Sequence, residues 1–502
     1  MRSIYCIKHH NFRGPVCCAV FLISVSVPGG INAQEPAAPV KPDRIQLLTE
    51  AIDRVEAQLQ ESQRELAGLK EQLQALRGSA EQTSISSAQP SGAAELAEAV
   101  ANIRESQTLD ESQIGTLAQS KVETASKYPL KLSGMILMTG FVNTQRVDDA
   151  QLPAVALSGS GSTGATLEQT VLGFDATGPH AFGASSRADL RLDFSGAGAA
   201  LGTSGYASPL IRLRTAHADL SWDRTRAFFA LDHSMLNPDS PTSIAAVALP
   251  PLAWSGNLWT WNPQFGVARD LLPVHSGAIR FQAGLSDVAD PPPLFAPAAA
   301  GTYIPPSSGE LSRWPGIEGR LAYETGDTEG LQIGVSGYFA SHRTSSTSIK
   351  YESWATAADL RFPVLRFSQI SGNAYFGAGL GGLGGGTYKN LVLRNVSGEQ
   401  YFQVLDDRGG WLQWKQKAGE RLEFNEAFGI DNVLANQLRP FAISTPLSYY
   451  NLARNRTFTG NVIFSPSAYL LFSLEYRRIA SSYVTAPTQS SNVVNIVAGY
   501  RF

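Results

Sequence analysis

Cysteine, charge and long apolar runs are all scarce in this chain of 502 residues. Its three cysteines, Cys6, Cys17 and Cys18, lie near the N-terminus, so the rest of the chain has no disulfide bonds or thiolate chemistry. Charged residues make up 17% of the chain and the net charge is −3, which argues against nucleic-acid binding. Beyond the N-terminus no apolar stretch reaches the ~18 residues that a transmembrane helix needs.

The N-terminus has the pattern of a secretory signal peptide. Arg2, Lys8 and Arg13 give it a basic start, PVCCAVFLISVSV is its apolar run, and GINAQ offers a cleavage site after Ala33. A membrane anchor is the weaker interpretation, because the run is too short to span a bilayer. Removal of residues 1–33 takes away three basic and no acidic residues, so the net charge would change from −3 to −6.

Two helical segments are predicted after the signal peptide. Residues 34–43 form a Pro-rich linker, and a coiled coil is expected over 44–77, where apolar side chains recur at alternating spacings of three and four. Such a seam pairs identical helices, so a homo-oligomer is expected, with dimer and trimer both open. Linker 78–93 and a second, more polar helical segment over 94–121 follow. The seam consists of Ile45, Leu48, Ile52, Val55, Leu59, Ser62, Leu66, Leu69, Leu73 and Leu76.

From residue 129 to residue 502 the periodic segments alternate with a period of two, which is typical of strands. GIEGRLAYE (316–324) and LQIGVSGYF (331–339) flank a TGDTEG turn, and FTGNVIFSPSAYLLFSLEYRR turns about SPS (465–467). These stretches predict hairpins and therefore antiparallel neighbours. The two short links are interpreted as periplasmic turns.

The single unbroken β region favours a membrane barrel over a soluble fold. A β-sandwich would bury its apolar faces between sheets, but this length would demand several sandwich domains, and no linker separates them. A transmembrane barrel turns its apolar face to lipid and its charged face to a watery lumen. We therefore predict a mainly-β protein, a transmembrane antiparallel β-barrel of about 16 strands over residues 129–502, with an N-terminal α-helical coiled coil.

Three other stretches are interpreted as loops. SGSGSTG (158–164) and RIASSYVTAPTQSSN (478–492) are predicted to be outer loops. GLGGLG (379–384) formally matches a nucleotide-binding G-x-G-x-x-G pattern, but no helix start follows it, so a flexible loop is expected.

The polar strand faces supply candidates for the pore lining. In a barrel they face the lumen, where rings of charge set ion preference. The alternative is that many of them pair across strands and only hold the wall together. The candidates are Arg187, Asp189, Arg191, Asp193, Arg280, Glu318, Arg320, Asp359, Glu475 and Arg477.

Between residues 236 and 262 the alternation disappears. This stretch is rich in proline and holds Trp254, Trp259 and Trp261, and it is too long and apolar for a tight turn. Either it folds into the barrel and narrows the pore, or it packs against a neighbouring subunit or the barrel wall.

The C-terminus resembles the signature of bacterial outer-membrane barrels that their assembly machinery reads. Phe502, Tyr500, Ala498, Ile496 and Val494 alternate along one face of the last strand. Tyr500 and Phe502 are accordingly the candidate assembly signal, and that machinery is an expected partner.

The whole layout resembles the DcaP-like trimeric porins. The stretch YPLKLSGMILMTGFVN (128–143) is similar to their junction between stalk and first strand. The resemblance implies a 16-stranded trimer in the bacterial outer membrane, with the coiled coil in the periplasm. It also implies passage of small polar, often anionic, solutes. Expected partners are further copies of the chain, outer-membrane lipid and, as a further candidate, the cell wall.

The expected function is passive diffusion of small polar solutes, anions included, through a porin that is not an enzyme. The alternative is a structural anchor or cell-wall tether with a plugged barrel. A barrel-embedded hydrolase would need a serine, a histidine and an acid from distant strands, and no motif indicates such a set. The histidines are scattered, so neither a metal nor a cofactor is expected, although His217 and Asp219 share a strand face on which they could pair.

Overall fold

The computed structural model describes residues 4–6, 130–196, 210–274, 276–291, 306–326, 329–344 and 349–502. Apart from residues 4–6, the predicted signal peptide, the linkers 34–43 and 78–93, the coiled coil and the second helical segment lie outside these described residues.

The described residues form twenty β-strands, most of them long. The strands are β1 (Ile4–Cys6), β2 (Leu130–Val147), β3 (Ala156–Thr166), β4 (Val171–Thr177), β5 (Ser185–Asp193), β6 (Arg212–Ser221), β7 (Thr225–His233), β8 (Trp261–Val274), β9 (Gly277–Ser286), β10 (Gly316–Thr325), β11 (Gln332–Arg343), β12 (Lys350–Leu365), β13 (Ser368–Ala378), β14 (Leu391–Val396), β15 (Glu399–Val404), β16 (Asp406–Lys417), β17 (Leu422–Val433), β18 (Leu452–Phe464), β19 (Leu470–Tyr483) and β20 (Gln489–Arg501).

Strands β2 to β13 and β16 to β20 form one closed antiparallel barrel. The barrel closes where β2 pairs with β20, for example with Val142 opposite Val494. Strands β3 and β4 pair with successive parts of β2 and share one strand position, so the barrel has 16 positions. The prediction of an antiparallel barrel of about 16 strands is confirmed.

One predicted outer loop is part of the barrel wall. SGSGSTG lies within β3, so that prediction is wrong. Its small residues allow close pairing with β2, because a Cβ at Gly161 would collide with the backbone of Asn143 and Thr144. Glycine and serine here serve close strand packing, not chain reversal.

Side chains alternate between the two faces of the wall as the sequence predicts. In β19, Phe472 and Leu474 are exposed on the outer surface, whereas Ser473 and Glu475 are buried on the inner side. The apolar face of the wall therefore looks outward, as in a membrane-spanning barrel.

The last strand follows the same rule as β19 and is tied to the first strand of the barrel. Ile496 and Tyr500 are exposed, and Val497 is buried. Phe502 exchanges two backbone hydrogen bonds with Gly134 of β2, at 3.0 and 3.1 Å. A Cβ at Gly134 would lie 2.5 Å from the Phe502 ring, so glycine is required there.

The two ends of the barrel differ in their connections. Residues 130 and 502 lie at the end that carries the shorter links, which include the SPS and TGDTEG turns. The longest connections, 194–211, 234–260, 287–315, 379–405 and 434–451, all lie at the opposite end, called the loop end below.

The second predicted outer loop is also mostly strand. Of residues 478–492, only 484–488 connect β19 to β20, so that prediction is wrong. The strands extend this far because Ile479 and Val493 are fully buried and pack together with Ala156 on the inner side.

The remaining elements are short. Helix α1 (Ser308–Ser312) begins with a capping box between Ser307 and Glu310, and helix α2 (Ala435–Leu438) precedes β18. Strands β14 and β15 form a hairpin outside the barrel, and β1 pairs in parallel with β15. If export removes residues 1–33, the mature protein lacks β1. Among the described residues, no helix has the length and apolarity to cross a membrane.

Candidate functional site

A long loop between β7 and β8 lies inside the barrel. Residues 234–260 are called the inner loop below. Asn237 Oδ1 accepts a hydrogen bond of 3.0 Å from Nε1 of Trp411 in β16, and the hydroxyls of Ser255 and Thr457 in β18 are 2.8 Å apart. Strands β16 and β18 are far from β7 and β8 around the wall, so the loop crosses the lumen.

Two buried glutamates of the wall hold the inner loop. Glu318 of β10 accepts hydrogen bonds from the Ser234 hydroxyl at 2.8 Å and from the Met235 N–H at 2.7 Å. Glu475 of β19 accepts a bond from the Ser243 hydroxyl. Both carboxylates are enclosed, so their charge depends on these donors for stabilisation.

Apolar side chains of the inner loop pack on the same wall. Ile244 lies against Leu471 and Val497 at the closure of the barrel. Leu252 packs against Trp411 and Ala427. Burial of these side chains stabilises the loop in place, at roughly 25 cal/mol for each Å² of apolar surface removed from water.

Glycines let the inner loop touch the wall backbone. Gly256 has a φ of +98°, a conformation that favours glycine, and a Cβ there would collide with the carbonyl oxygens of Gly410 and Ile430. On the wall, Gly429 leaves room for the carbonyl of Ser255. Loop and wall are therefore fitted to each other at the backbone level.

A second segment packs beneath the inner loop. Residues 379–390, called the glycine segment below, include the GLGGLG stretch, and the structure contradicts its prediction as a flexible loop. Residues 381–383 are buried in a 3₁₀ turn, and the ring of Tyr388 stacks on Trp254 at 3.8 Å. The Gly386 N–H donates to Asp407 at 2.7 Å, which helps to hold the segment on β16.

A buried lysine, Lys389, lies near the end of the glycine segment. The Lys389 ammonium donates to the carbonyl oxygens of Thr387, Tyr449 and Leu452 and to the Thr387 hydroxyl, at 2.6–3.0 Å. Burial lowers the pKa of Lys389 to about 7. Lys389 therefore links the glycine segment to Tyr449, in the connection before β18, and to Leu452, the first residue of β18.

The wall of β4 to β9 is different, because its ion pairs are open to solvent. The Arg187 side chain is 65% exposed, whereas its partner Asp175, at 3.3 Å, is 20% exposed. Arg191 lies 2.9 Å from Asp175 and 3.6 Å from Asp189. These charges line the part of the lumen that the inner loop leaves uncovered.

Two further pairs on this wall show the same asymmetry. Arg226 is 48% exposed and its partner Asp219, at 3.7 Å, is 14% exposed. Arg212 is 33% exposed, while Asp193, at 2.7 Å, is fully enclosed. The guanidinium groups therefore reach the solvent of the lumen more than their carboxylate partners do.

An ion-pair network continues from this wall toward the inner loop. Arg280 contacts Asp270 and Glu324, each at 2.7 Å. Arg320 contacts Glu324 and Asp359, also at 2.7 Å, and both Arg320 and Asp359 are buried. Charge here is neutralised locally before it reaches solvent.

The ten sequence candidates for the pore lining all lie on the inner side of the wall. Those with at least partly exposed side chains are Arg187, Asp189, Arg191 and Arg280. Those that are buried are Asp193, Glu318, Arg320, Asp359, Glu475 and Arg477.

The three candidate tryptophans form one aromatic group. Trp254 and Trp259 are buried in the inner loop with ring centroids 5.5 Å apart, and Trp261, the first residue of β8, lies 5.4 Å from Trp259. The guanidinium groups of Arg212 and Arg214 lie 5.3 and 5.4 Å from the Trp261 ring, within cation–π range. The inner loop folds into the barrel and packs on the inner face of its wall; that it narrows the pore stays a prediction.

His217 pairs with residues on other strands. Its Nδ1 lies 3.2 Å from Asp189 and its Nε2 lies 3.0 Å from Asp232, whereas Asp219 contacts Arg226. His217 therefore does not pair with Asp219, the possible partner on its own strand, because cross-strand neighbours are closer than residues two apart on one strand.

Comparison with solved structures identifies the fold. The DcaP outer membrane channel of Acinetobacter baumannii matches with a TM-score of 0.54 at 15% identity, over 75% of this chain and 99% of that chain. The chain has the DcaP fold. The sequence-based resemblance to DcaP-like porins is thus confirmed for the fold.

Other porins are similar to this DcaP-type barrel more loosely. The anion-selective porin from Comamonas acidovorans has a TM-score of 0.44 at 11% identity, over 75% of this chain and all of its own. Salmonella typhi OmpF in complex with daunomycin has a TM-score of 0.45 at 9% identity, over 74% of this chain and 97% of its own. No family model and no curated protein matches the sequence.

Several charged residues of the lumen are absent from the pore-lining candidates. Asp175, Arg226 and Asp232 occupy inward positions next to predicted ones, and Asp219, named only as a possible partner of His217, does so too. Their strands are short, and the alternation in LGFDAT or RAFFALDH spans too few residues to assign a face. Among the described residues, no group of three or more histidine, cysteine or acidic side chains could hold a metal ion.

Proposed function

We propose that this protein is an outer-membrane porin through which small polar solutes diffuse passively, with a preference for anions. The observation that carries this proposal is the difference in exposure along the wall of β4 to β9. There the arginines face the solvent of the lumen and their carboxylate partners are recessed. A permeating anion meets guanidinium groups first, although the wall is nearly neutral in formal charge.

The inner loop sets the width of the proposed path. It packs on the inner faces of β10 to β13, β16 to β20 and β2. It reaches the charged wall where Arg212 donates to the Ala248 carbonyl and where Met235 packs on Phe228. It leaves the ion pairs of Arg187, Arg191 and Arg226 uncovered. A solute would therefore pass between the inner loop and the arginines of β5 to β7. Because Trp254 and Trp259 are buried within the packed group, they narrow the lumen without touching the solute.

Planar-bilayer recording with the purified full-length protein tests this proposal. Under a salt gradient of potassium chloride, we expect discrete conductance steps and a reversal potential of the sign produced by chloride preference. A folded barrel that gives no conductance would contradict the porin function. A cation-preferring reversal potential would contradict the role assigned to the arginines.

A structural anchor with a plugged barrel is the second candidate. It is supported by the two packed segments, the inner loop and the glycine segment, which share the lumen and interlock through Trp254 and Tyr388. Under this alternative, bilayers containing the folded protein stay silent, and removal of the inner loop opens them.

The oligomeric state and location are part of the proposal. The DcaP fold supports an outer-membrane barrel with the loop end outside the cell, and the predicted coiled coil supports a homo-oligomer, with a trimer favoured. Tyr500 and Phe502, exposed at the outer surface of the barrel closure, are proposed as the assembly signal.

A further inference from the structure

Four arginines face outward near the loop end of the barrel. Arg408 lies on β16, Arg454 and Arg456 on β18, and Arg478 on β19. In the register of the wall, Arg408 and Arg454 stand on either side of Asn432. This group is called the outer arginine patch below.

The patch extends over roughly 20 Å from Arg408 to Arg478, and neighbouring members are close enough to share one phosphate group. Alternate residues along a strand are about 7 Å apart, which applies to Arg454 and Arg456, and neighbouring strands are about 5 Å apart. Arg456 and Arg478 are thus diagonal neighbours, roughly 8 Å apart at Cα. Arginine side chains are long enough to converge over such distances.

These arginines lack the partners that the arginines of the lumen have. On the charged wall, Arg187, Arg191, Arg212 and Arg226 each contact a carboxylate. Among the described residues, no member of the outer arginine patch has a carboxylate or a hydrogen-bond acceptor within bonding distance. The Nε atoms of Arg454 and Arg456 are also shielded from solvent without a partner. Unpaired, partly shielded guanidinium groups are costly, so binding of an anion at this patch would be favourable.

Carboxylates on the same face do not fill that role. Asp406, two residues before Arg408, accepts a bond of 2.7 Å from the side chain of Gln437. Glu426 is further from the loop end, opposite Trp414 and Gly460. The patch therefore keeps an excess of positive charge.

Its position identifies the anion. The outward row next to Arg456 consists of Leu412, Phe428 and Phe458, which are apolar and exposed, and Arg478 stands at the end of that row. In a membrane this face meets hydrocarbon, and the patch then lies at the level where hydrocarbon ends and lipid headgroups begin. Phosphate in that layer suits guanidinium groups, which bind it through paired hydrogen bonds.

We propose that the outer arginine patch binds the phosphate groups of an anionic lipid in the leaflet at the loop end of the barrel. The inference rests on the outer-membrane location in the proposed function, but not on conduction. A bound lipid of this kind would fix the barrel's height in the bilayer and order the headgroup layer around β16 to β19.

The test is titration of the full-length protein in zwitterionic nanodiscs with a bisphosphorylated glycolipid, followed by native mass spectrometry. The variant R408Q/R454Q/R456Q/R478Q is expected to bind the glycolipid at least about tenfold more weakly. The matched control is Arg269→Gln, an exposed outward arginine at the other end of β8, which should bind as the unmodified protein does.

Further measurements distinguish a lipid site from a contact between copies of the chain and from a site for free phosphate. Equal glycolipid binding by the quadruple variant and the unmodified protein would overturn the proposed lipid site. Loss of oligomers in that variant without loss of lipid would overturn it too, because the patch would then be a contact between copies of the chain. Competition by inorganic phosphate alone at a concentration equal to that of the glycolipid would also overturn a lipid site. Conductance and ion preference of the quadruple variant should stay unchanged, so a silent bilayer with intact lipid binding would contradict only the porin function.

Discussion

The two sides of the lumen are built from the same alternating strands but treat their inward residues in opposite ways. Along β4 to β9, inward arginines and acids form pairs that stay open to solvent. Along β10 to β20, the inward residues are mostly small, apolar or amide side chains that the inner loop and the glycine segment cover. The alternation of polar and apolar residues determines which face of a strand is inside. The residue types on that inner face determine whether it is exposed to solvent or covered.

The few charges on the covered side show why the difference matters. Glu318 and Glu475 are both buried, and each accepts hydrogen bonds from the inner loop. A buried carboxylate is costly unless such donors reach it. Charges on the covered side therefore hold the loop, whereas charges on the open side remain available to ions.

Removal of the inner loop should have the largest effect, an increase in single-channel conductance. Replacement of residues 238–256 by a short Gly-Ser linker exposes the covered wall and widens the path, so single-channel conductance should rise by about twofold or more, in proportion to the open cross-section. Planar-bilayer recording measures the effect. An unchanged conductance would show that the loop does not restrict the path, and the Arg269→Gln variant controls for reconstitution.

Loss of a loop anchor should have the next largest effect. Glu475→Ala leaves Arg477, now 2.7 Å from the carboxylate, buried without its partner, and we expect a loss of about 3 kcal/mol in the free energy of unfolding. Denaturant unfolding in detergent, followed by tryptophan fluorescence, gives the value.

Glu420→Ala is the matched control for that anchor. Glu420 is an exposed acid in the turn between β16 and β17, and its removal should change stability by less than about 0.5 kcal/mol. Equal destabilisation by the two substitutions would show that the buried pair does not stabilise the loop.

Much of the barrel could be predicted from the sequence, because long strands repeat their pattern often enough to define two faces. The hairpin around SPS and the final strand ending at Phe502 have the faces that their alternation predicts. SGSGSTG was misassigned because side-chain size there reflects backbone approach to β2, which requires knowledge of the neighbouring strand.

The site was less predictable than the wall. All ten charged candidates lie on the inner side of the wall. Whether each is exposed to solvent depends on the inner loop, and nothing in the sequence of that loop specifies the surface on which the loop packs. The burial of GLGGLG likewise depends on Asp407 and Asp431, two acids from different strands that receive the N–H groups of Gly386 and Thr387. Such long-range partners leave no local pattern.

Reversal of one charge on the open wall should have a smaller effect, a change in ion preference. Arg226→Glu places a carboxylate beside Asp219 and should lower the permeability of chloride relative to potassium by about twofold. Reversal potentials under a potassium chloride gradient measure the ratio. Arg269→Glu makes the same change of charge on the outer surface and should leave it unaltered; identical shifts in both variants would indicate that the solute does not pass along the charged wall.

The smallest expected effect concerns Asp148, at the outer edge of the covered side. Its carboxylate accepts bonds from the N–H groups of Ala154 and Val155 at 2.9 Å and from the Tyr388 hydroxyl at 3.2 Å, and burial raises its pKa from 3.8 to about 6.

The sign of the pH effect follows from that raised pKa. The stability that Asp148 contributes is fully present below its unfolded pKa of 3.8 and is lost as pH rises through about 6. Between pH 4 and pH 7 the unfolding temperature of the protein should therefore fall by a few degrees more than that of Asp148→Asn, which does not titrate. The same substitution at Asp223, an exposed acid in the turn between β6 and β7, should leave the wild-type slope intact. Parallel curves for wild type and Asp148→Asn would show that the connection 148–155 is not held on the glycine segment by a protonated carboxyl group.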